Sequence, residues 1–421
     1  MTDNTAELEY QTQIQQDLPR NFVVHLVHGM LGQTGFRLVN TPTFVPAYIL
    51  LLSGGSDFAV GLALALQALG STLTPMISAN LVGHRQRVLP MGILTGGAMR
   101  LSVLALALAG FFLPQNLALY AVIASLGLFG LFAGMQTVVF QTLLSKVIPV
   151  SNRGKLTGLR NFLAGITTAV VAWYGGHYLL GEPPTVIGYS WIFLISFGLT
   201  SAGLLFLALV REPVPPTVAA RQGLWQQLGS VPHFLRQDPQ FRHYVVARAL
   251  TTMGRMALPF YILYAGASIG FSGQTLAVLT IAFTLAATLS NLVWGALADR
   301  SGFRVVFLGS VLLWITATLA LLLSQEYWAV ILVFVGIGAA QEGFRIAAMN
   351  MTLEFGHRDQ LPLRLGIANS SAEAAGALAP LLGGILATLL GYESVFLAAT
   401  AFLSAGALLL ILRVPEPRQR P

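Results

Sequence analysis

Twelve runs of mostly apolar residues, each long enough to cross a bilayer, follow one another through almost the whole chain. They lie near 22–52, 57–82, 88–113, 116–147, 154–180, 187–211, 242–268, 273–297, 303–324, 327–354, 361–391 and 393–413. A membrane helix needs about 20 such residues, because the hydrocarbon core is about 30 Å thick. Several runs exceed that minimum, which predicts tilt or helix ends outside the hydrocarbon. Only 9% of the 421 residues are charged, against about 25% in a soluble protein. That deficit excludes an ordinary globular enzyme. The 43 glycines suit helices that pack through small residues in lipid. The absence of cysteine excludes a disulfide, a thiolate nucleophile and a Cys-based metal site.

The distribution of basic residues orients these runs. The turns near 53–56, 114–116, 181–186, 269–274, 325–327 and 391–393 contain no Lys or Arg. The turns between them hold Arg85, Arg87, Arg153, Lys155, Arg221, Arg236, Arg300, Arg304, Arg358 and Arg364. Basic turns stay in the cytoplasm, which places both termini there. The net charge of +7 is then a matter of topology. No basic patch is interleaved with aromatics, so nucleic acid is not expected as a partner. The first residues are polar and acidic, with Asp3, Glu7, Glu9 and Asp17, and lack the basic-then-apolar order of a signal peptide.

The longest polar segment opens with Pro213, Pro215 and Pro216 and contains an amphipathic piece around Trp225–Leu235. It divides the chain into a cytoplasmic tail (1–21), a first six-helix bundle (22–211), a linker (212–241), a second six-helix bundle (242–413) and a tail (414–421). The halves repeat. Leu156 to Asn161 aligns with Arg364 to Asn369, with Gly158 opposite Gly366 and Asn161 opposite Asn369, each pair 208 residues apart. Gly175-Gly176 stands the same distance from Gly383-Gly384. Two related bundles with a midplane site at their interface form a transporter architecture.

One turn carries a denser signal. Trp294 to Arg304 reads WGALADRSGFR between two membrane-length runs. It resembles the signature loop of the major facilitator superfamily, Gly-x-Leu-Ala-Asp-Arg-x-Gly-x-Arg, and Gly295, Leu297, Ala298, Asp299, Arg300, Gly302 and Arg304 match every specified position. Pro149 to Leu159 is similar to the family's loop between helices four and five, with Arg153, Gly154 and Gly158 in place. The resemblance covers about residues 21–413. It implies an all-α membrane protein of twelve transmembrane helices in two pseudo-symmetric bundles. It also implies gating roles for Gly295, Asp299, Arg300, Gly302, Arg304, Arg153, Gly158, Gly366 and Pro380. Close approach of helix ends is expected at Gly295 and Gly302, and a counter-charge at a helix end beside Asp299. Departures exist: Asn80 and Leu81 stand where the first-half copy would have Asp-Arg, and Val171-Ala172 replace the Gly-Pro of the antiporter motif.

Charges deep in the bilayer are expensive and mark function by default. Arg37, Arg255, Glu342 and Glu373 lie roughly 18–22 Å from the cytoplasmic helix ends at a rise of about 1.5 Å per residue. By the family resemblance, helices one, four, seven and ten line a central cavity. Arg37, Arg255, Glu342 and Arg345 fall on three of these, and helix four offers Gln136 and Gln141. Glu342 and Arg345 are three apart and pair on one helix, either structurally or for coupling. Glu373 has Arg345 or Arg255 as partner, with the same two readings open. Arg100 reads as structural, Arg248 as snorkelling to the interface, and His25 and His28 as packing residues. A surplus of arginine suits an anionic ligand group, and the glutamates are candidate proton carriers. Pro42, Pro46 and Pro259 predict kinks.

These features point to a secondary active transporter of a small organic solute. Its partners would be the solute, protons and membrane lipids, and it would act as a monomer in a bacterial inner membrane. An efflux antiporter and a transport-inactive receptor or scaffold are the alternatives. No cofactor or metal is expected, since no phosphate loop, His-Glu-x-x-His or Gly-x-Ser-x-Gly occurs.

Overall fold

The computed structural model describes residues 2–40, 42–82, 85–216, 235–324, 326–355 and 361–415. Gly83, Arg221, Arg358, the amphipathic stretch around Trp225 and the tail beyond 415 lie outside the described residues. Among the described residues every regular element is a helix. The first seven are α1 (Thr2–Asn40), α2 (Phe44–Leu52), α3 (Asp57–Val82), α4 (Leu89–Phe112), α5 (Gln115–Val147), α6 (Val150–Tyr174) and α7 (Val186–Leu207). The second series is α8 (Pro239–Thr252), α9 (Leu258–Ile269), α10 (Gly273–Ser301), α11 (Phe303–Leu323), α12 (Tyr327–Met351), α13 (Leu361–Leu390) and α14 (Tyr392–Arg413).

Nine of these helices are, among the described residues, long and apolar enough to cross a membrane. The other three expected runs are interrupted or carry extra charge. The first is split between α1 and α2, with Pro42 and Pro46 at the split. The seventh is split by a 3₁₀ turn, Met253–Ala257, and Pro259 opens α9 directly after it. Proline has no N–H to give the preceding turn, so the predicted kinks are full breaks. The fifth, α6, carries Arg153, Lys155 and Arg160 and passes into a π-helical turn at Gly175–Leu179. α1 is helical from Thr2, so the polar segment expected as a tail runs straight into the first span.

The chain forms two compact units. Unit one is Met1–Asn40, Leu66–Val171 and Thr185–Gln222; unit two is Thr41–Ala65, Ala172–Pro184 and Gly223–Pro421. In unit one, α1 and α4 pack along α7, and α4 also packs along α5. Val24, Val139, Leu143, Val147 and Leu207 are buried together there. Glu212 fastens the end of this unit: its carboxylate accepts from the Val88 and Leu89 N–H groups at 2.8 Å each, and from Lys146 at 3.2 Å. It thereby supplies acceptors to the otherwise unsatisfied N-terminus of α4.

In unit two, α8 packs on α13 and α14, and α12 on α10 and α11. Phe241, Tyr244, Phe307, Trp314 and Phe344 form its core. The stretches 41–65 and 172–184 belong to this unit although they come from the first repeat. Glycine makes that possible. A Cβ on Gly384 would lie 3.0 Å from the Cα of Gly61, and a Cβ on Gly273 would strike the carbonyl of Gly176. The two glycine pairs that stand 208 residues apart in sequence therefore do the same work, letting one helix backbone rest on another. Thr280 donates to Thr43 at 2.8 Å, and the Tyr392 hydroxyl donates to Asp57 at 2.7 Å. Both bonds lie on the side whose turns lack Lys and Arg.

Candidate solute and coupling site

The charged centre of unit two is Arg255 with Glu373. Arg255 sits in the 3₁₀ turn, where the helical hydrogen-bond ladder is already interrupted. Its Nη1 donates to Glu373 Oε2 at 2.9 Å and its Nη2 to Oε1 at 3.3 Å. That two-point fork is the strong geometry for a guanidinium and a carboxylate. Gly376 makes room for it, since a Cβ there would lie 2.9 Å from Nη1. The side chains are 36% and 42% exposed, so the pair is within reach of solvent or solute. Of the two partners open for Glu373 on sequence grounds, the geometry selects Arg255. Glu342 takes Arg345, with Arg345 Nε donating to Oε2 at 2.9 Å and Nη2 to Oε1.

Arg248 departs from its expected role. It is buried, and donates to Asn369 Oδ1 at 2.7 Å and to Thr352 Oγ1 at 3.2 Å. These polar groups remove any need for the side chain to reach the interface.

Unit one holds its cations differently. Arg100 is buried and donates to the carbonyls of Thr200 and Gly96 at 2.6 Å each, with Phe36 5.3 Å away. It is a structural brace, as expected. Arg37 on α1 lies within electrostatic reach of Arg160 on α6. Arg160 stands over Phe140 at 5.4 Å, and its Nε has no hydrogen-bond partner among the described residues. One turn before Arg37, Gln33 donates to Asn161 Oδ1 at 2.9 Å. Gln136 faces Thr95, whose hydroxyl donates to it at 2.5 Å. Gln141 is exposed, and five residues on from Gln136 it points about 140° away around the helix. His28 Nδ1 contacts the Gly203 carbonyl at 2.9 Å, and both histidine rings lie 5.6 Å from Phe140, in line with a packing role. Among the described residues no cluster of metal ligands forms.

The signature loops resolve into two kinds of residue. Arg153 donates from Nε to Ile148 O at 2.8 Å and from Nη2 to Ser145 O at 2.9 Å, closing the end of α5. Arg304 does the same for α14, donating to Val414 O at 2.8 Å and Ile411 O at 3.2 Å. Gly302 ends α10 at φ +84°, a conformation that favours glycine, and its N–H bonds Ala298 O at 2.9 Å. A Cβ on Gly295 would meet nothing within 4 Å, so the close approach expected at that glycine is not made by a described residue; Gly158 and Gly366 are likewise open. Asp299 and Arg300 are exposed, and Asp299 makes no ion pair with any described residue. Pro380 instead lies at the α3–α13 crossing, its carbonyl against Gly61.

Sequence reasoning passed over Arg160, Glu212 and the Asp57–Tyr392 bond. The repeat held the signal for Arg160: the aligned position 208 residues on is Ala368, and Glu373 aligns with Gly165. Charges present in one repeat and missing from the other mark where the halves diverge chemically.

The family model described as Major Facilitator Superfamily matches residues 29–262 and 244–421. Citrate exporter 1 of Aspergillus niger is 26% identical over 145 residues, which cover 34% of this chain and 28% of that protein. Multidrug resistance protein MdtG of Enterobacter lignolyticus is 29% identical over 170 residues, covering 39% and 40%. The matches thus span well under half the length of these relatives. The crystal structure of a D-xylose–proton symporter superposes with a TM-score of 0.72 at 13% identity, covering 95% of this chain and 99% of that one; at that identity the likeness concerns the fold. The family match extends over nearly the whole sequence, and the chain is a member of the Major Facilitator Superfamily.

Proposed function

We propose that the chain moves a small organic solute, anionic or amphipathic, by alternating access and in exchange for or together with protons. It would do so as a monomer in a bacterial inner membrane, with both termini in the cytoplasm. The observation that carries this reading is the half-exposed Arg255–Glu373 fork at a break in a membrane segment. A solute anion that engages Arg255 would take the place of the Glu373 carboxylate in the fork. The released carboxylate is then the candidate proton carrier that links the two movements. The domain division at 212–241 and the gating roles of the signature loops belong to the same reading. Export is the second direction to consider, because the names of two relatives are those of an exporter and a multidrug resistance protein.

The test is solute flux into proteoliposomes under an imposed pH gradient, with Glu373→Gln alongside the parent chain. The variant cannot carry a proton, so gradient-driven flux is expected to fall at least about tenfold while solute exchange without a gradient survives. Flux driven equally well by the gradient in Glu373→Gln would remove Glu373 from coupling.

A further inference from the structure

We propose that unit one binds a small hydroxycarboxylate, its carboxylate on Arg160 of α6 and its hydroxyl on the side-chain oxygen of Gln33 on α1. The proposal rests on the transporter reading and names the class of solute.

Arg160 is held differently from other embedded arginines. Arg100 has two carbonyls at 2.6 Å, Arg248 has Asn369 and Thr352, and Arg255 and Arg345 each have a glutamate. Arg160 forms no ion pair with a described residue, and its buried Nε has no hydrogen-bond partner among them. The side chain is half-buried and lies over the Phe140 ring at 5.4 Å. A cation at membrane depth is costly without an acceptor, and a bound anion removes that cost.

The groups around it are polar along one face of α1. His25, Gly29 and Gln33 are spaced by four residues and share that face. Gly29 gives Arg160 its place, since a Cβ there would overlap the arginine's own Cδ. One turn on, the Gln33 amide spends its Nε2 on Asn161 Oδ1 at 2.9 Å, and its buried Oε1 has no donor among the described residues. One turn back, His25 is fully buried, lies 5.6 Å from the same Phe140 ring, and has no partner for either ring nitrogen among the described residues. Buried polar atoms are nearly always hydrogen-bonded. Here the exceptions sit on three side chains that converge from α1 and α6.

The set has a definite polarity. Arg160 can only donate, in the planar fork that suits a carboxylate, and Gln33 Oε1 can only accept. A matching solute therefore carries a carboxylate and, close to it, an O–H or N–H donor. An ammonium is the poorer donor, because it would stand beside a guanidinium. Unit one has no Asp or Glu between Leu18 and Arg211 to balance it, since Asp57 and Glu182 belong to stretches of unit two. A hydroxyl donates without adding charge, which selects a hydroxy acid over an amino acid. Neutral His25, with one nitrogen donating and one accepting, can complete the shell around either group. The headgroup of phosphatidylglycerol joins an anion to hydroxyls from a lipid source, and the experiment separates the two.

The purified full-length chain in detergent is heated with lactate or 3-hydroxybutyrate at constant pH and ionic strength. Each control changes one feature. Propionate and butyrate lack the hydroxyl, lactamide lacks the charge, and alanine puts an ammonium in place of the hydroxyl of lactate. A hydroxy acid should raise Tm in a saturable way. Each control should bind at least about tenfold more weakly, the order of one hydrogen bond left unmade. Arg160→Gln should weaken hydroxy-acid binding by at least about tenfold, and Gln33→Leu should bind the hydroxy acid and its deoxy partner alike. Should Arg160→Gln fail to fold, Arg160→Lys keeps the charge without the fork and should still lose affinity. Binding is read without any gradient, so loss of the proton-coupling reading leaves this site standing. The proposal is overturned if no hydroxy acid stabilises the chain, or if the deoxy acids, lactamide or alanine stabilise it equally. It is overturned too if the Arg160 variants respond like the parent, or if Gln33→Leu keeps the preference for the hydroxyl. An Arg160-dependent shift with phosphatidylglycerol and with no hydroxy acid also overturns it, because the occupant is then a lipid headgroup.

Discussion

In unit two, Arg255 and Arg345 each face a glutamate of the same unit, and Arg248 is held by Asn369 and Thr352. In unit one, Arg100 is held by carbonyls, while Arg160 lies over the Phe140 ring and next to the Gln33–Asn161 amide pair. The two halves descend from one pattern, since Asn161 and Asn369 stand 208 residues apart and each ties its helix to a neighbour. Among the charges that differ between aligned positions are Arg160 against Ala368 and Gly165 against Glu373. A repeat keeps its helices through apolar pattern and small residues, which tolerate such changes. Its chemistry follows single side chains, so two copies of one fold can hold opposite local charge.

Unit one does have one buried carboxylate, and its position sharpens the contrast. Glu212 lies at the helix ends, 3% exposed, and is spent on the α4 N-terminus and Lys146. Glu212→Ala would strand two N–H groups and an ammonium. It should destabilise the chain by about 2–3 kcal/mol, read as a fall in thermal midpoint, without altering solute affinity. A variant as stable as the parent would show that water replaces the carboxylate at no cost.

The comparison can be broken by giving unit one what unit two has. Asn161→Asp places a carboxylate beside Arg160 with almost no change of shape. The new acid should pair with the guanidinium and raise Tm slightly. An unchanged Tm in Asn161→Asp would mean that the new carboxylate does not reach the Arg160 guanidinium.

Much of this was legible in the sequence. The twelve runs, the glycine pairs at 175–176 and 383–384 and the proline breaks follow from bilayer thickness, small-residue packing and the missing proline N–H, and each has its counterpart in the helices. The Glu342–Arg345 pair followed from a spacing of three. Other features were not legible, for physical reasons. Arg160 lies seven residues beyond Arg153 in a run already basic at its cytoplasmic end, so one-dimensional charge counting assigns it to topology. The choice of Arg255 for Glu373 depends on the approach of α13 to the 3₁₀ turn, a contact between residues 118 apart in the chain. The membership of 41–65 and 172–184 in unit two depends on backbone contacts that no composition window reports.

The signature loop also separates into working and idle parts, and the smallest prediction concerns the idle one. Arg304 closes the end of α14 with two hydrogen bonds, whereas Asp299, five residues before it, is exposed and has no ion pair among the described residues. A surface side chain without a partner contributes little to folding, so Asp299→Asn should change stability by less than about 0.5 kcal/mol. If Asp299 gates transport, it must find its partner in another conformation. A ligand or charge shifts an equilibrium only by its differential interaction with the two states. Asp299→Asn should then slow flux in proteoliposomes at unchanged Tm, and the slowing should be stronger at low salt, where an exposed charge contact is less screened. A loss of Tm would place the contact in the present conformation, and unchanged flux would leave Asp299 with no gating role.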